Sequence, residues 1–318
     1  MTASTGSAGS AGAGAKGAPR GPDPDLVFAS PRKLPRAADL RGRVVVLDLA
    51  FAADGMGGPG FAKITGRFLR ELGPRLARWV DHHDHELHAS YRGDPRFVLH
   101  TKAEHGACPE IITPEMVAQT GPIDTIVAHF DLDGLYAAAK WILGGHAPYP
   151  GADADARAVD TRVGEVSPRA QLIDKALRVH FEDPVLKQRV VHWLCRGMRP
   201  GVEHDAIVTA AADFDLRATR AEALAERFVV EGDVAVMRVP ADAPAFDKTE
   251  LLLAGQRRAT VAVVVDGVTV NIAAGFESGL NFVTLLGLGG GMPTRVSVPV
   301  ARLDATLLKI RVELASRS

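Results

Sequence analysis

The residues with most chemical potential lie in two clusters. In the first, Trp79-Val80 runs into Asp81-His82-His83-Asp84-His85-Glu86, an unbroken row of carboxylates and imidazoles. In the second, the apolar Ile126-Val127-Ala128 is followed by His129-Phe130-Asp131-Leu132-Asp133-Gly134. Carboxylates mixed with imidazoles suit Mn²⁺ or Mg²⁺ better than a thiolate-type zinc site. Two such ions about 3.5–4 Å apart can orient and deprotonate a water and stabilise both oxygens of a phosphoryl displacement. Such a pair needs several carboxylates, at least one of them bridging. The two clusters therefore read as halves of one metal site. The i, i+2 spacing of His129, Asp131 and Asp133 lets alternate side chains at a strand exit face the same way. Asp84, His85, Glu86 and His88 read as solvated surroundings of the working triplet Asp81, His82 and His83.

The elements that must position these clusters are also legible. Arg43-Val44-Val45-Val46-Leu47-Asp48-Leu49-Ala50 reads as a buried strand ending in a carboxylate, where parallel sheets place ligands. Strands are expected at Phe97–Leu99 and over 122–128, and a helix from Gly134. Gly134 should leave room for the backbone to turn close to the ions. A helix carries Phe61, Ile64, Phe68 and Leu72 on one face. The glycine-rich loop over 54–60 lacks the Lys-Ser/Thr ending of a phosphate-binding P-loop. Helices follow from Ala156 to about Val230. From Gly232 short strands take over at Val234–Met237, 260–265 and Thr269–Ile272, with Asp266-Gly267 as a hairpin turn.

The predicted fold is α/β, a mainly parallel Rossmann-like sheet plus a smaller mixed α/β unit towards the C-terminus. The expected division is an Ala/Gly/Ser-rich disordered tail over 1–25, a metal-binding catalytic domain over 26–225 and a substrate-binding domain over 226–318.

Composition narrows the function classes. The 318 residues are 47% hydrophobic and 24% charged, with a formal net charge of -1. No global basic field recruits long duplex DNA, although a locally basic site for a short phosphate-bearing ligand stays open. The two cysteines, Cys108 and Cys195, lack metal-type spacing and suggest no disulfide framework. No apolar run reaches the roughly 18 residues of a membrane helix, and no secretory h-region is present. A cytoplasmic protein that does not engage membranes is expected, and a homodimer stays open.

Together, Trp79-Val80-Asp81-His82-His83 and His129-Phe130-Asp131-Leu132-Asp133-Gly134 resemble the DHH phosphoesterase superfamily. It includes single-strand exonucleases, nanoRNases, cyclic-dinucleotide phosphodiesterases and family II inorganic pyrophosphatases. The resemblance implies that two Mn²⁺ ions are held by His129, Asp131 and Asp133, by the lone strand-end Asp48, by Asp81 and His82 of the triplet, and by a final aspartate matched by Asp160. It implies catalytic parts for Asp81 and His83, with His83 beside the leaving or a non-bridging oxygen. In the family the Asp-x-Asp-Gly motif usually comes first, whereas here it follows the triplet, so the sequence resembles a circularly permuted member. The C-terminal part resembles the family's DHHA1-type domain with its glycine-rich, phosphate-gripping loop. Here that loop is Gly287-Leu288-Gly289-Gly290-Gly291-Met292-Pro293-Thr294-Arg295. Gly290 and Gly291 would offer backbone N–H groups to phosphate. Met292 stands at the family's histidine position, and Arg295 could supply a bidentate contact instead.

The expected activity is metal-dependent hydrolysis of phosphodiesters in a short oligonucleotide, a dinucleotide or a cyclic dinucleotide. Two other readings remain. One is a hydrolase of small phosphates such as pyrophosphate or a phosphorylated nucleotide. The other is a nucleotide sensor without turnover, prompted by Met292.

Overall fold

The computed structural model describes residues 23–52, 59–288 and 293–317. Most of the expected tail, most of the loop over 54–60, and Gly289, Gly290, Gly291 and Met292 lie outside the described residues.

A first sheet forms from β1 (Asp25–Ala29), β2 (Val44–Leu47), β3 (Leu76–Asp81), β4 (Phe97–Leu99) and β5 (Thr125–His129), in the spatial order β1-β5-β2-β3-β4. Every neighbouring pair is parallel. The continuous apolar run of β2 follows from burial on both faces. Val44 and Val46 enter one core with Trp79 and Val127, while Val45 and Leu47 enter a second with Val80, Ile126 and Ala128. The period-two alternation of a strand thus feeds two cores. The first is covered by α1 (Thr65–Leu72), which supplies Phe68 and Leu72. Beyond the short α2 (Pro114–Thr120), the second is covered by α3 (Leu132–Ile142), α4 (Ala152–Thr161), α5 (Pro168–Val179), α6 (Pro184–Cys195) and α7 (Val202–Ala225).

Trp79 shows how tightly the first core is built. It is fully buried, its Nε1 donates to the Leu49 carbonyl at 2.9 Å, and its ring meets Phe51 edge-on at 5.4 Å. Trp79→Ala is expected to cost about 3–5 kcal/mol, because it removes a large ring and strands a carbonyl. Chemical denaturation of the two proteins checks this value.

The second sheet holds β6 (Val229–Glu231), β7 (Val234–Arg238), β8 (Val261–Asp266), β9 (Thr269–Ala274) and β10 (Arg295–Pro299), ordered β10-β9-β8-β7-β6. It is mixed: β7 and β8 are parallel and the other pairs antiparallel. The Asp266-Gly267 turn joins β8 to β9, with Gly267 at φ 56°. One face packs on α8 (Lys248–Gln256) and the end of α7. The other packs on α9 (Phe282–Leu286) and α10 (Leu303–Ala315).

The α/β class, the parallel sheet and the mixed sheet agree with the sequence expectation. The local readings that need correction include α1, which starts at Thr65 and leaves Phe61 and Ile64 before the helix. β1 is absent from the sequence expectation although Leu26-Val27-Phe28-Ala29 is an apolar run as long as that of β2; it directly follows the low-complexity segment. The helical segment expected to run to about Val230 ends at Ala225, and Val229 and Val230 form the exposed edge strand β6. Their β-branched side chains favour the strand once β7 offers a partner. The helix expected from Gly134 starts at Leu132. Among the described residues, no helix is long and apolar enough to cross a membrane.

Candidate metal centre

The centre lies where β5, β2 and β3 end side by side. Leu47 is in register with Val80 on one side and with Ala128 on the other. One step later each strand delivers its polar residue at the same level: His129, Asp48 and Asp81. Sheet register therefore brings together residues far apart in sequence. Asp48 has φ 58° and donates its N–H to the Val80 carbonyl at 2.9 Å. The left-handed conformation is uncommon for residues other than glycine, though aspartate adopts it more readily than most. Here it turns the chain sharply at the sheet edge.

His129 is the last residue of β5, Asp131 is the N-cap of α3 and Asp133 lies in that helix's first turn. Their convergence comes from the strand-to-helix turn, rather than from strand alternation as the spacing predicted. Asp131 accepts a hydrogen bond from the Gly134 N–H at 3.4 Å. A Cβ on Gly134 would lie 2.5 Å from the His129 carbonyl oxygen, so glycine is required by that carbonyl and not by closeness to an ion.

Three groups of ligand atoms lie within 4.8 Å of one another: Asp48-His82-His83, Asp48-His129-Asp131, and His82-Asp133-Asp160. Asp48 and His82 each belong to two groups, which joins the three into one cluster. Asp160, the faintest of the sequence candidates, arrives from α4. Asp81 joins none of the groups. It is fully buried, and its Oδ1 lies 2.8 Å from His83 Nδ1. Arg295 stands on β10, outside the cluster.

His82 and Asp48 are buried, with His82 Nε2 at 3.1 Å from Asp48 Oδ1 and 3.3 Å from Asp133 Oδ2. His82 Nδ1 lies 3.0 Å from the His105 carbonyl oxygen. A carbonyl only accepts, so Nδ1 carries a proton and Nε2 faces the carboxylates. This is the arrangement in which an outer partner fixes a ligand's tautomer. Burial works against charge on His82, yet Asp133 and Asp48 outweigh it and push its pKa up to about 11. For His129, burial is likewise outweighed by Asp131 and Asp48, which push its pKa up to about 11. His83 is raised too, with Asp81 overcoming burial. Burial, then the Asp131 charge, raises Asp133.

These residues fit a divalent cation. Both Asp48 carboxylate oxygens, His82 Nε2 and His129 Nδ1 are buried without a hydrogen-bond partner of proper geometry. Leaving several such groups unsatisfied is costly, and the imidazolium charges partly supply what a cation would. The donor set is oxygen and imidazole throughout, with no thiolate.

Two residues near the centre escaped the sequence reading. His88, expected to be solvated, is buried; its unpartnered Nε2 lies 4.0 Å from Asp81 Oδ2, and its ring meets Phe51 edge-on. Asp84 and Glu86 are exposed as expected. Lys102 donates to Asp160 at 2.7 Å. Membership of the same acid-and-imidazole run could have flagged His88, whereas nothing local marks Lys102.

Asp81→Asn is expected to weaken divalent-metal binding about 10- to 100-fold with the fold retained, the scale of losing a group that orients a ligand. Calorimetric titration of the metal-free protein measures it.

A cavity of about 670 Å³ opens from the cluster towards the mixed sheet. Asp131, Asp133 and Asp160 line one side, and Thr249, Phe276 and Arg295 line the other, with Arg162 and Arg178 between. Arg295 donates to the Thr249 hydroxyl at 3.0 Å, and burial lowers its pKa. Asn281 instead caps α9, accepting from the Thr284 N–H.

No protein-family model matches the sequence, and no curated protein matches it. Solved structures similar to the chain include the following two. One is exonuclease RecJ bound to manganese, with TM-score 0.44 and 13% identity, over 86% of this chain and 75% of that one. The other is PggH, a pGpG-specific phosphodiesterase from Vibrio cholerae, with TM-score 0.44 and 8% identity, over 87% of this chain and 100% of that one.

Proposed function

We propose that the protein is a metal-dependent phosphoesterase of the DHH type, hydrolysing phosphodiester bonds in short oligonucleotides, dinucleotides or cyclic dinucleotides with two Mn²⁺ or Mg²⁺ ions. The observation that carries this reading is Asp48. Its buried carboxylate, without a hydrogen-bond partner, belongs to one ligand group with His82 and His83 and to another with His129 and Asp131. A carboxylate shared in this way suits two adjacent cations.

His82, Asp133 and Asp160 would complete the ligand set, with Asp81 behind His83. When bound, such ions acidify water and supply positive charge to phosphoryl oxygens. The chain's own residues do the rest. Asp81 orients His83, which is 28% exposed at its side chain and so stands open to a substrate oxygen. Kept protonated by Asp81 and left out of the ligand set, His83 would donate a proton or hydrogen bond to the leaving oxygen. Arg295, with Arg162, offers cationic guanidinium groups to phosphate across the cavity, while Arg178 is held by the Asp247 and Glu250 carboxylates at 2.6 and 3.0 Å.

The sheet order supports the permuted reading. β5 is the last strand of its sheet in sequence but inserts between β1 and β2. A site built from strand ends needs neighbours in space, whatever their chain order.

The test is hydrolysis of bis-p-nitrophenyl phosphate and of a dinucleotide by the purified chain, with Mn²⁺ and with EDTA. Turnover with Mn²⁺ that is lost in Asp131→Ala is the expected result. Metal binding without turnover of any phosphoester would favour the sensor reading, and preference for pyrophosphate would favour the small-phosphate hydrolase.

A further inference from the structure

Phe130 stands between two candidate metal ligands in sequence, and its ring lies 4.6 Å from that of His129. It also lines a second cavity, of about 730 Å³, between the end of β1 and the start of α6. We propose that this second cavity binds one nucleoside monophosphate unit of the substrate, so that the substrate crosses the metal centre from one cavity to the other. The proposal rests on the phosphodiesterase reading above and names a subsite for it.

Two observations point to this ligand. The first is Lys187 on α6, which is only 5% exposed. Among the described residues no carboxylate stands within ion-pair distance of its ammonium group and no hydrogen-bond acceptor meets it. Instead Nζ lies 5.7 Å and 5.2 Å from the ring centroids of Phe28 and Phe130, both of which line the cavity. The nearby Asp183 accepts through Oδ1 from the N–H groups of Val185 and Leu186, and its charge reaches Lys187 only from beyond ion-pair distance. The side chain is buried along its stem while Nζ keeps access to the cavity, and the two ring faces return only part of the hydration that the ammonium gives up. An anion entering the cavity would complete its solvation.

The second is Phe181, 51% exposed at the cavity rim, with its ring 6.4 Å from that of Phe130. A large apolar ring left in water beside another aromatic ring suits stacking of a nucleobase, which needs an aromatic face and no base-specific hydrogen bond. A lysine serves phosphate as a point charge. An anion with an attached flat ring is a nucleotide. Lys33 adds positive charge at the rim, and the exposed carboxylate of Glu182, also lining the cavity, adds negative charge that acts on Lys187.

Equilibrium titration of AMP into the full chain in EDTA tests the pocket without metal or turnover. AMP should bind the wild-type protein and lose roughly tenfold in affinity in Phe181→Ala, the size expected when one stacking ring is removed. Lys187→Met, which keeps the packing volume, should lose a similar factor, and adenosine should be insensitive to it. With Mn²⁺, both variants should raise KM for a dinucleotide while kcat holds. AMP affinity unchanged in both variants overturns the proposal, as does a fall in kcat at constant KM. If the wild-type protein hydrolyses no phosphoester, the phosphodiesterase reading fails separately and the AMP titration still decides the pocket.

Discussion

Asp48→Asn is expected to reduce metal-dependent phosphoester hydrolysis by about a thousandfold or more. The size follows from position: the Asp48 carboxylate belongs to two ligand groups at once, so one substitution weakens both. Losing several kcal/mol of charge stabilisation corresponds to a factor of that order. Asparagine is the informative replacement, because it keeps the size of the side chain and tolerates the left-handed backbone at φ 58°. The fold should therefore survive, which far-ultraviolet circular dichroism checks. The variant should also lose most of the thermal stabilisation that Mn²⁺ gives the wild-type protein. Wild-type turnover in Asp48→Asn would remove Asp48 from the centre.

Metal binding should strengthen as pH rises, and the metal-free protein should behave in the opposite sense. His82 and His129 have pKa values pushed up to about 11 by their carboxylate neighbours, against about 6.5 in an unfolded chain. A raised pKa means that the folded state binds the proton more tightly. The resulting stability is fully present below pH 6.5 or so and is lost as pH rises through about 11. A cation has to displace these protons, so its binding releases them and is weaker at pH 6 than at pH 8. At a metal concentration a hundred times Kd the stabilisation is about 2.7 kcal/mol. That amounts to roughly 4 °C in melting temperature for a protein of this size. Thermal melts with Mn²⁺ or EDTA at the two pH values measure the effect. Calorimetry in buffers of different ionisation enthalpy counts the protons. Metal stabilisation that falls between pH 6 and pH 8 would contradict this account of the centre.

The sheet was readable wherever burial on both faces writes a continuous apolar run, as at Val44–Leu47 and at Ile126-Val127-Ala128. β1 carries such a run too, Leu26 to Ala29, but it goes unread because it directly follows the low-complexity segment. His88 was misjudged because its burial depends on Phe51, a residue distant in sequence that packs on its ring. The helix boundary at Leu132 was missed because Asp131 could be read as strand exit or as N-cap, and only the turn geometry separates the two.

The sequence by itself determined the two dense clusters, Asp81-His82-His83 and His129 to Asp133, because covalent adjacency keeps those residues together in any fold. It also determined that each follows an apolar strand, since burial on both faces leaves consecutive apolar residues in the sequence itself. Only the tertiary structure decided that the clusters face each other across Asp48. That juxtaposition depends on β2 lying between β5 and β3 with Leu47 level with both Val80 and Ala128, a matter of strand order and register. The same holds for Asp160, brought to His82 and Asp133 by the packing of α4, and for Asp81, which stands behind His83 and outside the three ligand groups. Strand order, register and helix packing are set by contacts between distant segments, so no local stretch of the chain records them.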